Sequence, residues 1–532
     1  MIKKLVVAAS LYCVLASGVV YSQIPKVTLS EAIEEPRVGL SKLLLLKNGT
    51  TMYFHFPEQG GIATAVYDQN YRKTASVQNQ IKSFPLSKMH DGMFEGIFEI
   101  NGQVVAFFTH VDHRVPTLYR FVFEEQTGKI LHEDVVTSAP QIPKKAGYGI
   151  LGRIEEPAFL IEKDPLSGYY AVATLNEYPH EINQRIKITH YSPMHEVINE
   201  GYITTPTDKF RYMNLKTMTV HGDEFVLAGT SIHNPAVYGS RDKEFSVIVS
   251  QLTKGNKVIS NQLLASRKAF VPPEIVAKFN PSRNLVFMMS VVNDGRTIYL
   301  NTVDPYSSKI SDSKWIQHPG LTNYSIYHLG DDKPYRGTIQ DFYLHEDGSA
   351  TMMYEEMVVS QGGGANAYYV TRMGGMGISR ISDKGEELPG SYFLAKNQYT
   401  SSEQLPLLMY RRAKGCLDNK GNGGFDSYDF IQAGNHAYFI YNDLKENIDT
   451  DSVQITRGRA MVAVSGTNTV LAWKEGEEIK RIYLFGDPGK ADISRFSNLA
   501  INAHASDGKS YATLLIERNG SNKKAYIAWV KF

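Results

Sequence analysis

The densest cluster of metal-binding or proton-handling side chains in the sequence is His110-Val111-Asp112-His113, followed by Arg114. Imidazole and carboxylate ligands suit zinc or another transition metal. On an extended strand, however, His110 and Asp112 share one side while His113 points away. The tetrapeptide alone therefore supplies two ligands rather than a site, and Glu177, His180 or His233 would have to converge on it. The adjacent acids Glu355-Glu356 and Glu155-Glu156 raise glycoside chemistry, which needs two carboxyls roughly 5 to 9 Å apart across a bond. Neighbours on a strand face opposite ways, so neither pair is an acid/base couple by itself. No Gly-x-Ser-x-Gly elbow and no His-Glu-x-x-His occurs, which disfavours a serine hydrolase module of the prolyl-peptidase kind and a zincin protease.

The remaining chemical candidates are thinner. Gln361-Gly362-Gly363-Gly364-Ala365 lacks the Lys-Ser/Thr of a phosphate-binding loop and a following helix, and reads as a hairpin loop. Arg372-Met373-Gly374-Gly375-Met376-Gly377 reads as a bulged strand. Cys416 has Arg411, Arg412 and Lys414 nearby in sequence, but a nucleophilic thiolate also needs a base. The 56 Lys and Arg balance 55 Asp and Glu, and Arg411, Arg412, Arg457 and Arg459 are scattered, so no nucleic-acid footprint is present. No cofactor and no metal are expected.

The elements that would position these groups form an internal repeat, the feature to seek first in a long chain. A short apolar strand, a tight Asn/Asp/Gly turn and a strongly apolar second strand recur. The first copies are 43–46, Asn48-Gly49, 52–56 and 96–100, Asn101-Gly102, 104–108. Later turns are Gly222-Asp223, Asp347-Gly348, Gly434-Asn435 and Asp507-Gly508, and two copies use longer proline-containing turns at 164–167 and 280–283. Such dipeptides tolerate the positive φ of two-residue hairpins. A third strand and usually a more polar fourth follow, which is the composition of a propeller blade. The expected fold is all-β, a β-propeller of about eight four-stranded blades, with seven blades plus an insertion as the alternative. The last copy stops after three strands, so 27–29 is expected to supply the fourth and close the ring.

Residues 368–371, 378–385 and 395–398, together with Ala437-Tyr438-Phe439-Ile440-Tyr441-Asn442-Asp443, resemble segments of secreted, uncharacterised bacterial β-propeller-like proteins. That resemblance implies a secreted propeller and no particular activity. An outer-membrane barrel is the competing all-β reading, since the chain ends in Phe532. Barrel strands alternate apolar outside with polar inside, whereas Trp529 and Ile527 would occupy the lumen side of the last strand.

Lys3 and Lys4, the apolar run 5–15 and the small residues 16–18 have the layout of a secretory signal peptide, with cleavage expected after Ser22. Cys13 is expected to leave with it rather than to carry a lipid. Cys416 is then the only thiol, so no intramolecular disulfide can form. Domain 23–532 is expected to be single, with long loops around 306–338, 396–425 and 444–460. No later window is apolar enough for a transmembrane helix, and the chain is expected to be exported, to the periplasm or beyond the cell.

In a propeller, the loops joining second to third strands share one face with the loops linking blades. Those loops carry His55 and Glu58; His110, Asp112, His113 and Arg114; Glu177, His180 and Glu181; His233; Asp294 and Arg296; Glu355 and Glu356; Asn442 and Asp443; Glu517 and Arg518. The candidate ligand-binding set is His110, Asp112, His113, Arg114, Glu177, His180, His233, Asp294, Arg296, Glu355 and Asp443. The sequence points to a binding protein for a glycan, a peptide or an envelope partner rather than to an enzyme. A carbohydrate-active hydrolase or lyase using acids and histidines at the channel mouth is the alternative, and a structural envelope component the third reading.

Overall fold

The computed structural model describes residues 24–532 except 37, 58–60, 84–91, 144–157, 177–180, 206–208, 235–242, 257, 266, 270–272, 293–294, 296, 330–334, 336, 363–367, 397–398, 402–414, 417–427, 435, 449–466 and 490–492. The expected signal segment lies outside these residues. The chain is all-β, built from four-stranded antiparallel meanders. In the first unit the strands are Leu40–Leu45, Thr51–Phe56, Ile62–Tyr67 and Lys73–Asn79. The second runs Gly92–Ile100, Gln103–Asp112, Val115–Phe123 and Ile130–Ser138.

Units three to six begin with Phe159–Lys163, Tyr212–His221, Glu274–Asn280 and Thr338–Leu344. The fourth strand is split in units four, five and six, where two segments pair one after the other along the same third strand. The largest sheet holds eight strands and contains two meanders. Unit seven is Asp429–Ala433, His436–Leu444, Thr467–Glu475 and Glu478–Tyr483. Unit eight is Ile493–His504, Ser510–Asn519 and Asn522–Lys531. A single parallel bridge, Asn468 to Arg495, joins the two.

The fourth strand of unit eight comes from the other end of the chain. Lys26–Leu29 pairs antiparallel with the terminal strand, Val27 opposite Val530 and Leu29 opposite Ala528. Ser30 and Ile33 extend the contact by donating their amides to the carbonyls of Ile527 (2.9 Å) and Ala525 (2.8 Å). The outward edge of the terminal strand is thereby paired from Ala525 to Lys531 instead of lying open.

Turn chemistry sets the register of the meanders. Ile100 pairs with Gln103, and the two residues between them, Asn101 and Gly102, sit at φ 52° and 72°. That is the twist-matching hairpin geometry for which Asn-Gly is suited. The expected bulge is present: Glu355 pairs with Met376 and Met357 with Met373, so three steps on one strand oppose two on the other around Gly374-Gly375.

Second strands are apolar on both faces because each is covered on both. Every residue of Phe225–His233 is buried, which removes the polar alternation of a half-wet strand. The core is correspondingly a set of clusters between neighbouring units. Phe54, Phe56, Phe94, Phe108, Phe121 and Phe123 join units one and two. Val105, Phe107, Tyr170 and Val172 join two and three, and the series continues unit by unit. Leu43, Tyr67, Leu514, Ile527 and Trp529 then pack unit eight on unit one.

The segment expected as a loop around 306–338 contains a helix, Pro319–Leu329. Its sequence lacks an amphipathic stripe. The helix is held instead by Glu387, whose carboxylate accepts the Gly320 and Leu321 amides at 2.6 and 3.2 Å, satisfying N-terminal donors that have no partner within a helix.

Candidate functional site: a cavity walled by the first strands

A cavity of about 960 Å³ is bounded, among the described residues, by the first strands of all eight units and the turns that follow some of them. Ligand pockets commonly fall between about 300 and 1,000 Å³. The wall is mainly apolar, with Leu43, Phe94, Ile97, Ile161, Val276 and Tyr343 among its members. Set into it are Lys42, Glu95, Glu162, Lys163, Asp164, Lys278, Asp341, Asp429 and His504. The first strands pack into the clusters on both sides, Leu44 toward unit two and Leu43 toward unit eight, Val276 toward unit six and Ala277 toward unit four, and the cavity lies between these strands, where the charges they carry come together.

Most of these charges are tied across a junction between units. Lys278 of unit five reaches Asp341 of unit six at 2.8 Å and lies over the Phe342 ring. His504 Nε2 of unit eight lies 3.1 Å from Asp429 Oδ1 of unit seven, and Asn502 Nδ2 donates to the other carboxylate oxygen at 2.6 Å. Asp164 of unit three closes its own turn with the Leu166 amide and the Ser167 hydroxyl, then accepts the Gly222 amide of unit four at 2.9 Å. The buried Glu95 accepts the Thr109 hydroxyl at 2.6 Å.

Protonation in the wall follows from this setting. Lys42 is half-buried in the wall, its ammonium over the Phe94 ring, and burial lowers its pKa to about 8. Burial first, and the nearby Lys47 ammonium second, also lower Lys163. At His504 burial opposes the charged form, but the Asp429 carboxylate outweighs it and holds the imidazole above its ordinary value.

The residues singled out by loop position are placed elsewhere, and none of them is among the described residues lining this cavity. His110 is buried inside the second strand of unit two. Asp112 and His113 meet at 2.7 Å on an exposed hairpin, and Arg114 donates to the Ile142 carbonyl at 2.9 Å. His233 is buried and stacks on Tyr212, ring centres 5.0 Å apart. Glu355 is fully buried against Lys396 at 2.6 Å. Asp443 accepts the Leu444 amide and the Asn447 side chain at 2.7 and 2.9 Å, fixing the turn after its strand. Glu58, Glu155, Glu156, Glu177, His180, Asp294 and Arg296 lie outside the described residues. Among the described residues no three His, Cys, Asp or Glu side chains form a group able to hold a metal ion.

The wall residues carry a signal in the sequence that loop position does not use. Lys42 sits between Ser41 and Leu43, Glu95 between Phe94 and Gly96, Lys278 between Ala277 and Phe279, and Asp341 between Gln340 and Phe342. A charge embedded in the first strand of successive repeats marks the inner wall.

No family model and no curated protein matches the sequence. Among solved structures, the chain is similar to prolyl oligopeptidase B from Galerina marginata bound to a 35mer hydrolysis and macrocyclization substrate, at 10% identity and TM-score 0.40, covering 91% of this chain and 56% of that one. A prolyl endopeptidase structure gives 10% identity and TM-score 0.39, covering 91% and 55%. A protein from Lactobacillus plantarum gives 10% and 0.35, covering 80% and 91%. The chain spans little more than half the length of the two peptidases. By its own sheet topology it belongs to the class of all-β, propeller-like folds. No helix among the described residues is long and apolar enough to cross a membrane.

Proposed function

We propose that this chain is an exported binding protein, an eight-bladed β-propeller closed by Lys26–Leu29, which takes its ligand into the central cavity. The observation that carries this reading is the single cavity bordered by first strands from all eight units. A glycan or a peptide suits a wall that mixes aromatic surface with fixed charges. The hydrolase alternative needs two carboxyls facing each other across an open space. Asp164, Asp341 and Asp429 are instead engaged by a turn, a lysine and a histidine, which favours binding. The outer loops with Asp112, His113 and Arg114 would then serve as the approach to the ligand or to an envelope partner.

The test is a glycan and peptide array probed with the exported chain and with Ala500→Trp. Ala500 lines the cavity and is exposed, so an indole there narrows the space without entering the packed core. A ligand that binds the parent and is lost from the variant supports the reading. Equal binding by both, or hydrolytic turnover of the bound compound, refutes it. Sequencing the exported product should find Gln23 at its N-terminus.

A further inference from the structure

We propose that the His504–Asp429 pair is the point at which the cavity recognises a carboxylate carried by its ligand; this rests on the cavity being the binding site. Asp429 opens the first strand of unit seven and His504 ends the first strand of unit eight. The Asp429 carboxylate is fixed by three donors: His504 Nε2 at 3.1 Å, Asn502 Nδ2 at 2.6 Å and the Phe430 amide at 2.9 Å. Asn502 is itself anchored by the Leu499 carbonyl at 2.8 Å. The imidazole is thus oriented by a carboxylate that has its own supports, and it lies edge-on to the Tyr511 ring, centres 5.3 Å apart.

The Asp429 contact engages one ring nitrogen of the imidazole. The His504 side chain is 41% exposed while Asp429 is 11% exposed, and both belong to the cavity wall. With Nε2 held by Asp429, the imidazolium still has Nδ1–H as a charged donor, because both ring nitrogens carry protons in that state. Charge-assisted hydrogen bonds of this kind are the strong ones. Leu499, Ala500 and Ala503 flank it on its own strand and offer contact to an apolar body.

The Asp429 carboxylate faces the imidazole from unit seven, and the Tyr511 ring packs on it from the second strand of its own unit; Lys42 of unit one lines the same cavity. Asp429 engages Nε2, so one charged N–H is left for the ligand, and a single carboxylate fits it. Peptide C-termini and uronic acids both supply one, and the test separates them.

Calorimetry with four probes decides between these outcomes: N-acetyl-Phe-Leu as free acid and as amide, and phenyl glucuronide against phenyl glucoside. One or both acids should bind, with the matching neutral probe at least tenfold weaker. His504→Gln should weaken the acid by roughly ten- to hundredfold, the range for a hydrogen bond to a charged group, and leave the neutral probe unchanged. Affinity for the acid should fall as pH rises through the titration of His504. As a readout independent of any variant, the NMR titration of the His504 ring in the parent protein should move to higher pH when the acid is bound. Which acid binds identifies a peptide or a glycan source. Equal binding of acid and neutral probes, or a His504→Gln effect within twofold, overturns the carboxylate assignment and leaves the cavity reading standing. Binding by none of the four also overturns it, while the cavity reading stands or falls on the array ligand and Ala500→Trp.

Discussion

Replacing Lys396 by Met should destabilise this protein far more than loss of an ordinary ion pair. Glu355 lies on the second strand of unit six with 0% exposure, Lys396 follows the fourth strand with 3%, and Nζ stands 2.6 Å from Oε1. An exposed pair contributes about 0–1 kcal/mol. Removing one member of a buried pair strands the other charge, and the cost is about 3–5 kcal/mol. Methionine fills most of the space of the lysine stem, so little of that cost comes from packing. Urea unfolding followed by far-UV circular dichroism measures it. The double variant Glu355→Leu, Lys396→Met should regain most of the loss, because both charges are gone together. A loss below about 1 kcal/mol at pH 7, or a double variant no more stable than Lys396→Met, would refute the reasoning.

Two further outcomes follow from the same interactions. A chain beginning at residue 34 lacks the strand Lys26–Leu29 and bares the backbone of Asn522–Lys531. It should melt earlier and associate with increasing concentration, as size-exclusion chromatography would show, whereas a monomer of unchanged melting temperature would contradict the role given to that strand. The His504–Asp429 pair raises the histidine's pKa in the folded state, so its contribution to stability is complete below the ordinary imidazole value near 6.5 and is lost as pH rises through the folded one. Asp429→Asn should flatten that part of the stability profile in melting scans between pH 5 and 8, and an unchanged profile would count against the pairing.

Much of the architecture was legible along the chain because its determinants are local. Asn101-Gly102 can take the positive φ that a two-residue hairpin demands, and apolar runs such as 104–108, with no polar alternation, announce a strand covered on both faces. The missing fourth strand of the last repeat and the short apolar segment at 27–29 could be matched before any pairing was seen. The helix Pro319–Leu329 was not legible, since the carboxylate that caps it, Glu387, lies 67 residues downstream of Gly320. The position of the cavity was hidden for a related reason. Sequence gives the alternation of side chains across a strand, but which strands border the cavity depends on how neighbouring sheets stack.

The repeat and its turns, and with them the all-β class, were thus determined by the sequence alone, because hairpin geometry and two-sided burial are written in residues a few positions apart. Loop position drew attention to His110, Asp112 and His113, which occupy one strand end. Only the tertiary structure gathered Lys42, Lys278, Asp341, Asp429 and His504 into one wall, from strands separated by up to hundreds of residues. Packing between units decided it: the stacking of the units brings their first strands round one common space, and the charges on those strands meet there.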